Sequence, residues 1–188
     1  KTQARYAEAE PLFKRALGIK EKVLGPDNPD LAIAINNLGL IYLEQGRYED
    51  AAQLLERALA ITEKALGPDH PNLATAFNNL ARLYYAQGRY GETEPLFKKS
   101  LVMRKKVLSP DHPEVANSLN NLALLYQTQG RYEDAEQLFK RTLGVWEKAL
   151  GLDHPNVATA LNNLALIYQR QGRYEDAEPL YKRSLSIR

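Results

Sequence analysis

The triplet Asn-Asn-Leu begins at residues 36, 78, 120 and 162, and each start lies 42 residues after the last. Gly-Arg-Tyr keeps the same step, beginning at 46, 88, 130 and 172, with Arg5-Tyr6 as a partial fifth copy. Asp-X-Pro follows suit at Asp27, Asp69, Asp111 and Asp153. A fixed period of this length means tandem supersecondary units, each too small to bury its own apolar face and therefore packed on its neighbours.

Two helices can be drawn in each unit. In the second copy Pro71 suits a first helical turn, where its missing N–H costs nothing, and His70 or Asp69 can cap it. Phe77, Leu80, Ala81 and Tyr84 then recur at i, i+3, i+4 and i+7, one stripe of an amphipathic helix. Gly88 ends that helix. A second helix is expected from near Tyr90 to about Leu108, carrying Leu96, Phe97, Leu101 and Val107 inward, until Ser109-Pro110 stops it. Pro11, Pro95 and Pro179 fall at equivalent places about five residues into the second helices, close enough to the start to be tolerated with a slight kink. The expected layout is one array over 1–188. A partial repeat (1–25, second helix only, Tyr6 to Leu24) precedes repeats at 26–67, 68–109 and 110–151, and 152–188 forms a fourth, C-terminally truncated.

Leu80, Ala81, Tyr84, Gly88, Tyr90, Thr93, Phe97 and Ser100 match the tetratricopeptide repeat (TPR) pattern. Leu122, Ala123, Tyr126, Gly130, Tyr132, Ala135 and Phe139 match it more closely. With its 42-residue unit, its "LGPDHP" linker and its "NNLA", the chain resembles the TPR domain of kinesin light chains and related bacterial arrays. The resemblance implies an all-α, right-handed TPR α-solenoid of antiparallel helix pairs. It also implies a non-catalytic scaffold whose first helices line a concave, ligand-binding groove.

At 100° per residue, the face opposite the packing stripe gathers Asn78, Asn79, Arg82 and Tyr85 in copy 2. The equivalent sets are Asn36, Asn37 and Leu40, then Asn120, Asn121, Leu124 and Gln127, and finally Asn162, Asn163, Leu166 and Arg170. A carboxamide both donates and accepts, so repeated asparagines can hold the backbone of an extended peptide without reading its side chains. The other reading is that some amides tie neighbouring helices together. Leucine, Tyr85 and the arginines suit a linear motif with a large apolar anchor and nearby acids. By resemblance, that is the tryptophan-and-acid motif of kinesin light chain cargo. Leu43 and Gln127 stand where that family would supply a basic residue.

The remaining chemistry is sparse. A net charge of +2 argues against nucleic acid or membrane as partner, and no apolar run approaches the roughly 20 residues of a membrane span. With no cysteine, no disulfide or thiolate site can form. No phosphate loop, nucleophile–base pair or metal-binding helix motif appears, so neither enzyme activity nor cofactor is expected. His70, His112 and His154 recur once per repeat and read as caps. Lys14-Arg15, Lys98-Lys99, Lys140-Arg141 and Lys182-Arg183 read as a solvated outer face. Trp146, whose copies are Lys20, Thr62 and Arg104, reads as lying outside the repeat core and partly exposed. The expected partner is a protein or peptide, and the expected compartment is the cytoplasm. The chain opens on a second helix and closes within another at Ile187-Arg188. This suggests either a piece of a longer array or a module whose uncapped ends stack into a homo-oligomer.

Overall fold

A computed structural model describes residues 2–187, with side chains from residue 10 onward; Arg188 and the side chain of Tyr6 lie outside it. All regular structure among the described residues is helical: α1 (Thr2–Leu24), α2 (Pro29–Glu44), α3 (Tyr48–Leu66), α4 (Leu73–Ala86), α5 (Tyr90–Val107), α6 (Pro113–Thr128), α7 (Tyr132–Leu150), α8 (Pro155–Arg170) and α9 (Tyr174–Ile187). They form two compact units, Lys1–Met103 and Arg104–Arg188. None is long and apolar enough to cross a membrane.

The helix starts follow from the linker residues. Asn28, His112 and His154 occupy the N-caps of α2, α6 and α8, and each side chain accepts the backbone N–H two residues on. The histidine caps use Nδ1, at 3.1 Å in both cases. His70 makes the same bond to Asn72 N–H at 3.2 Å, but Pro71 and Asn72 form a turn and α4 starts only at Leu73. That turn closes through i to i+3 bonds, from Leu73 N–H to His70 and from Ala74 N–H to Pro71. Between the two helices of each pair sits a glycine (Gly46, Gly88, Gly130, Gly172) at φ of +73° to +76°, a conformation that side-chain-bearing residues adopt only at a cost.

In unit 1, Leu38 and Tyr42 of α2 pack with Ala51 and Leu55 of α3 and with Leu80 and Leu83 of α4. Leu73, Ala74 and Phe77 of α4 pack with Met103 of α5. Helices α2 and α3 approach closely at Gly39, where a Cβ would lie 2.9 Å from Leu55 Cγ and Cδ2. The small buried residue of the second helices has a polar task wherever it carries a hydroxyl. Ser100 donates to the Ala74 carbonyl at 2.7 Å, and Ser184 to that of Ala158 at 2.8 Å.

Three expectations about the second helices change. Val107 is 55% exposed, because as the last residue of α5 it lies beyond the packed turns; Met103 is the buried residue there. Pro11 is the tenth residue of α1, since that helix begins at Thr2 rather than Tyr6. All three helical prolines are exposed, so each removes a hydrogen bond on a water-facing side, where the freed carbonyl can be hydrated.

Trp146 is the third correction. It is 4% exposed and packs with Ala116, Val157, Ala160 and Leu161 in the core of unit 2. Arg104, its copy one repeat earlier, is also buried. Its guanidinium donates to Ser118 Oγ at 2.6 Å and lies 3.4 Å from the Glu114 carboxylate. The position therefore points inward in both repeats. Its variable identity reflects the partner on the next first helix, Ala160 for the indole and Ser118 for the guanidinium.

Candidate interaction surface

The eight asparagines lie mid-helix on α2, α4, α6 and α8, and the structure assigns part of their hydrogen bonding. Asn79 donates from Nδ2 to Asn36 Oδ1 at 3.0 Å, linking α4 to α2. Asn163 donates to Asn120 Oδ1 at 3.3 Å, linking α8 to α6. Asn78 adds a longer bond of 3.4 Å to Asn79. Asn78 and Asn79 are buried, at 9% and 5% exposure. A buried carboxamide without partners would be costly, so the amide-to-amide bonds explain how polar residues persist between these helices.

The ties leave hydrogen-bonding capacity unused. Asn36 spends its oxygen on Asn79, while its amino group donates to nothing among the described residues. Asn37 is exposed and has no hydrogen bond there. In unit 2, Asn120 keeps its amino group and Asn162 both ends of its amide. Asn121 is half-buried and already engaged.

The other candidate residues divide by unit. In unit 1, Leu40, Arg82 and Tyr85 are half-buried. Arg82 reaches Glu44 at 3.1 Å, so its charge is partly met by its own neighbour. The ring of Tyr85 lies against that of Tyr90, with centroids 5.6 Å apart and a 49° tilt. In unit 2, Leu124, Gln127 and Leu166 are half-buried and Arg170 is exposed. The Gln127 oxygen is buried without a hydrogen-bond partner.

One concavity of about 510 Å³ opens in unit 1, between the first halves of α2 and α4 and the end of α3. Its floor includes Ala32, Ala58, Thr62 and Ala76, and its rim includes Ile33, Asn36, Asn37, His70 and Thr75. Ile33 is 59% exposed. Thr62 is the copy of Arg104 and Trp146, and its hydroxyl turns back to the Ala58 carbonyl at 2.8 Å. The cleft thus lies where the other two repeats carry a large side chain. Aligning position 62 with 104 and 146 could have found it, given that this position faces inward.

Together, the geometry is that of a helical-repeat protein presenting amides and an apolar cleft on its first helices. The tetratricopeptide repeat model matches residues 2–64, 36–106, 73–148 and 119–188. The chain belongs to the tetratricopeptide repeat family. No curated protein sequence matches it. Among solved structures it is similar to a putative kinesin light chain from Podosopora anserina with nearly identical TPR-like repeats. That match has 28% identity and a TM-score of 0.78, over 99% of this chain and 88% of the other. It is also similar in fold to BtubC (BKLC) from P. vanneervenii, at 24% identity and a TM-score of 0.85, covering 99% and 74%. MamA shares the fold at 17% identity and a TM-score of 0.65, covering 99% and 90%. Family and neighbours support a protein–protein interaction scaffold.

Proposed function

We propose that the chain binds an extended segment of a protein partner along the first helices of unit 1, α2 and α4, and that a large apolar or aromatic side chain of that segment enters the cleft beside Thr62. The observation that carries the reading is the cleft itself, bordered by the Asn36 amino group and the Asn37 amide, neither of which has a hydrogen-bond partner among the described residues. Its apolar floor removes the anchor from water, while the amides offer donors and acceptors to peptide backbone. Unit 2 gives a precedent for the fit: there an indole rests on Ala116 and Ala160, the copies of Ala32 and Ala76. The kinesin light chain resemblance points to the same class of motif, an aromatic anchor near acids.

The test uses an arrayed library of extended peptides carrying one fixed tryptophan, read by fluorescence polarisation. Asn37→Ala removes an exposed amide that bonds nothing among the described residues, so the variant should fold normally. It should bind selected peptides roughly 5- to 10-fold more weakly, the loss of about one hydrogen bond. No selected peptide, or peptides whose affinity ignores Asn37, would remove the proposal.

A further inference from the structure

Away from the first helices, an acid–base pair joins successive second helices at two places, α1 to α3 and α7 to α9. Arg57 of α3 donates to Glu21 of α1, and Arg183 of α9 donates to Glu147 of α7 at 2.5 Å, each pair 36 residues apart. The acidic member of this column reads Glu21, Glu63, Lys105 and Glu147, and the basic member Arg57, Lys99, Arg141 and Arg183. At the second register Lys99 lies 4.1 Å over the Phe77 ring and makes no ion pair with Glu63 among the described residues. The third sets like charges together, Lys105 of α5 against Arg141 of α7. Both side chains are exposed. Neither has an acidic partner among the described residues. Partial desolvation first, and the nearby Arg141 guanidinium second, push the Lys105 ammonium below its ordinary value.

Like charges at this register repel where two of the sister registers attract, which leaves a positive doublet available to an anionic partner. The surrounding charges are already matched: Lys140 pairs with Glu136 at 2.7 Å, and Lys148 with Asp111. The excess positive charge is therefore confined to one doublet. A nucleic acid carries a charge about every 1.7 Å along its axis and calls for a continuous basic stripe. A membrane surface needs a broad basic field. A doublet instead matches neighbouring carboxylates on one polypeptide. One turn beyond Arg141, Gly144 has nothing within 4 Å of where its Cβ would be, so the backbone of a docking segment can come close there. We infer that the Lys105–Arg141 doublet is a docking point for an acidic segment of a protein partner, on the outer face of the second helices and independent of the cleft beside Thr62.

The test is titration of the full chain with a fluorescent glutamate-rich peptide at low salt. Lys105→Glu creates the acid–base pair found between α1 and α3 and between α7 and α9. It should raise the thermal midpoint and weaken peptide binding by about tenfold. Lys140→Glu makes the same change in net charge at a residue outside the doublet, and should leave most of the binding in place. Thr62→Trp should not affect it. Equal loss in Lys105→Glu and Lys140→Glu would mean general charge attraction and overturn the proposal. So would wild-type binding no tighter than that of Lys105→Glu, or a preference for phosphatidylserine vesicles or single-stranded DNA over the peptide.

Discussion

Arg173 holds its guanidinium 4.0 Å from the ring centre of Tyr168 and from there reaches two acids, Asp176 in the first turn of α9 at 2.8 Å and Glu136 on the preceding second helix at 3.0 Å. Arg47 repeats the arrangement, 3.9 Å over Tyr42, with Asp50 at 2.7 Å and Glu10 at 3.0 Å. Arg89 and Arg131 lie over Tyr84 and Tyr126 in the same way. The middle residue of Gly-Arg-Tyr is thus a clasp. Arginine suits it because a planar guanidinium can stack on a ring and still present N–H groups at its edge.

The clasp at Glu10 should be visible in acid. Hydrogen bonds from Lys14, the Tyr42 hydroxyl and Arg47 hold the Glu10 carboxyl at about 2, below its usual 4.5. The folded chain then takes up this proton less readily than the unfolded chain. The stabilisation is fully present above about 4.5 and drains away as pH falls towards 2. Thermal midpoints of wild type and Glu10→Gln, taken across that window, should differ most at its upper end and converge at its lower end. A gap independent of pH would count against the assignment.

Gly39→Ala should destabilise unit 1 by about 1–3 kcal/mol, the usual range for overpacking. The added methyl would meet Leu55, which is 1% exposed and has little room to retreat. Combining Gly39→Ala with Leu55→Ala should cost less than the sum of the two alone, measured by urea unfolding.

Thr62→Trp should close the cleft by supplying from within the side chain proposed to arrive from outside. Peptides that depend on Asn37 should lose at least about tenfold in affinity, while helicity by circular dichroism stays unchanged. Retained binding would place the anchor elsewhere.

Trp146 is the only tryptophan, so its emission reports on unit 2 alone. At 4% exposure, its native fluorescence should be blue-shifted and resist iodide quenching until that unit unfolds. Trp146→Ala should cost roughly 3–5 kcal/mol through the cavity it leaves. Trp146→Phe should cost less, because it also removes an indole N–H that has no acceptor.

Much of this architecture was legible in the spacing. Helix pairs, proline-led first turns, histidine caps and glycine stops are local devices, so residues such as His112 and Gly130 reveal them without knowledge of the packing. Contacts between repeats were harder to read. Comparing Trp146 with Lys20, Thr62 and Arg104 suggested a position outside the core, because a column of dissimilar residues resembles a surface. In the structure Trp146 and Arg104 face inward, each matched to one residue on the next helix, while Thr62 is half-buried and Lys20 exposed. The asparagines left two readings open, ligand contact and ties between helices. A helical wheel sets them opposite the packing stripe, but it cannot show that the facing amide of Asn36 lies within reach of Asn79. The arginine of Gly-Arg-Tyr reads in the sequence as part of a repeated signature, and its stacking on the preceding tyrosine emerges only in the folded chain.

The matched positions 104 with 118 and 146 with 160 also bear on how such chains can be cut and rejoined. A second helix is fitted to the first helix that follows it, as Arg104 is to Ser118 and Trp146 to Ala160. Grafting whole helix pairs between arrays would sever these couples, putting an indole against a hydroxyl or a guanidinium against bare methyl groups. Cassettes bounded at the Gly-Arg-Tyr turns would carry each couple intact. The transferable module is therefore offset by one helix from the repeat that the eye picks out.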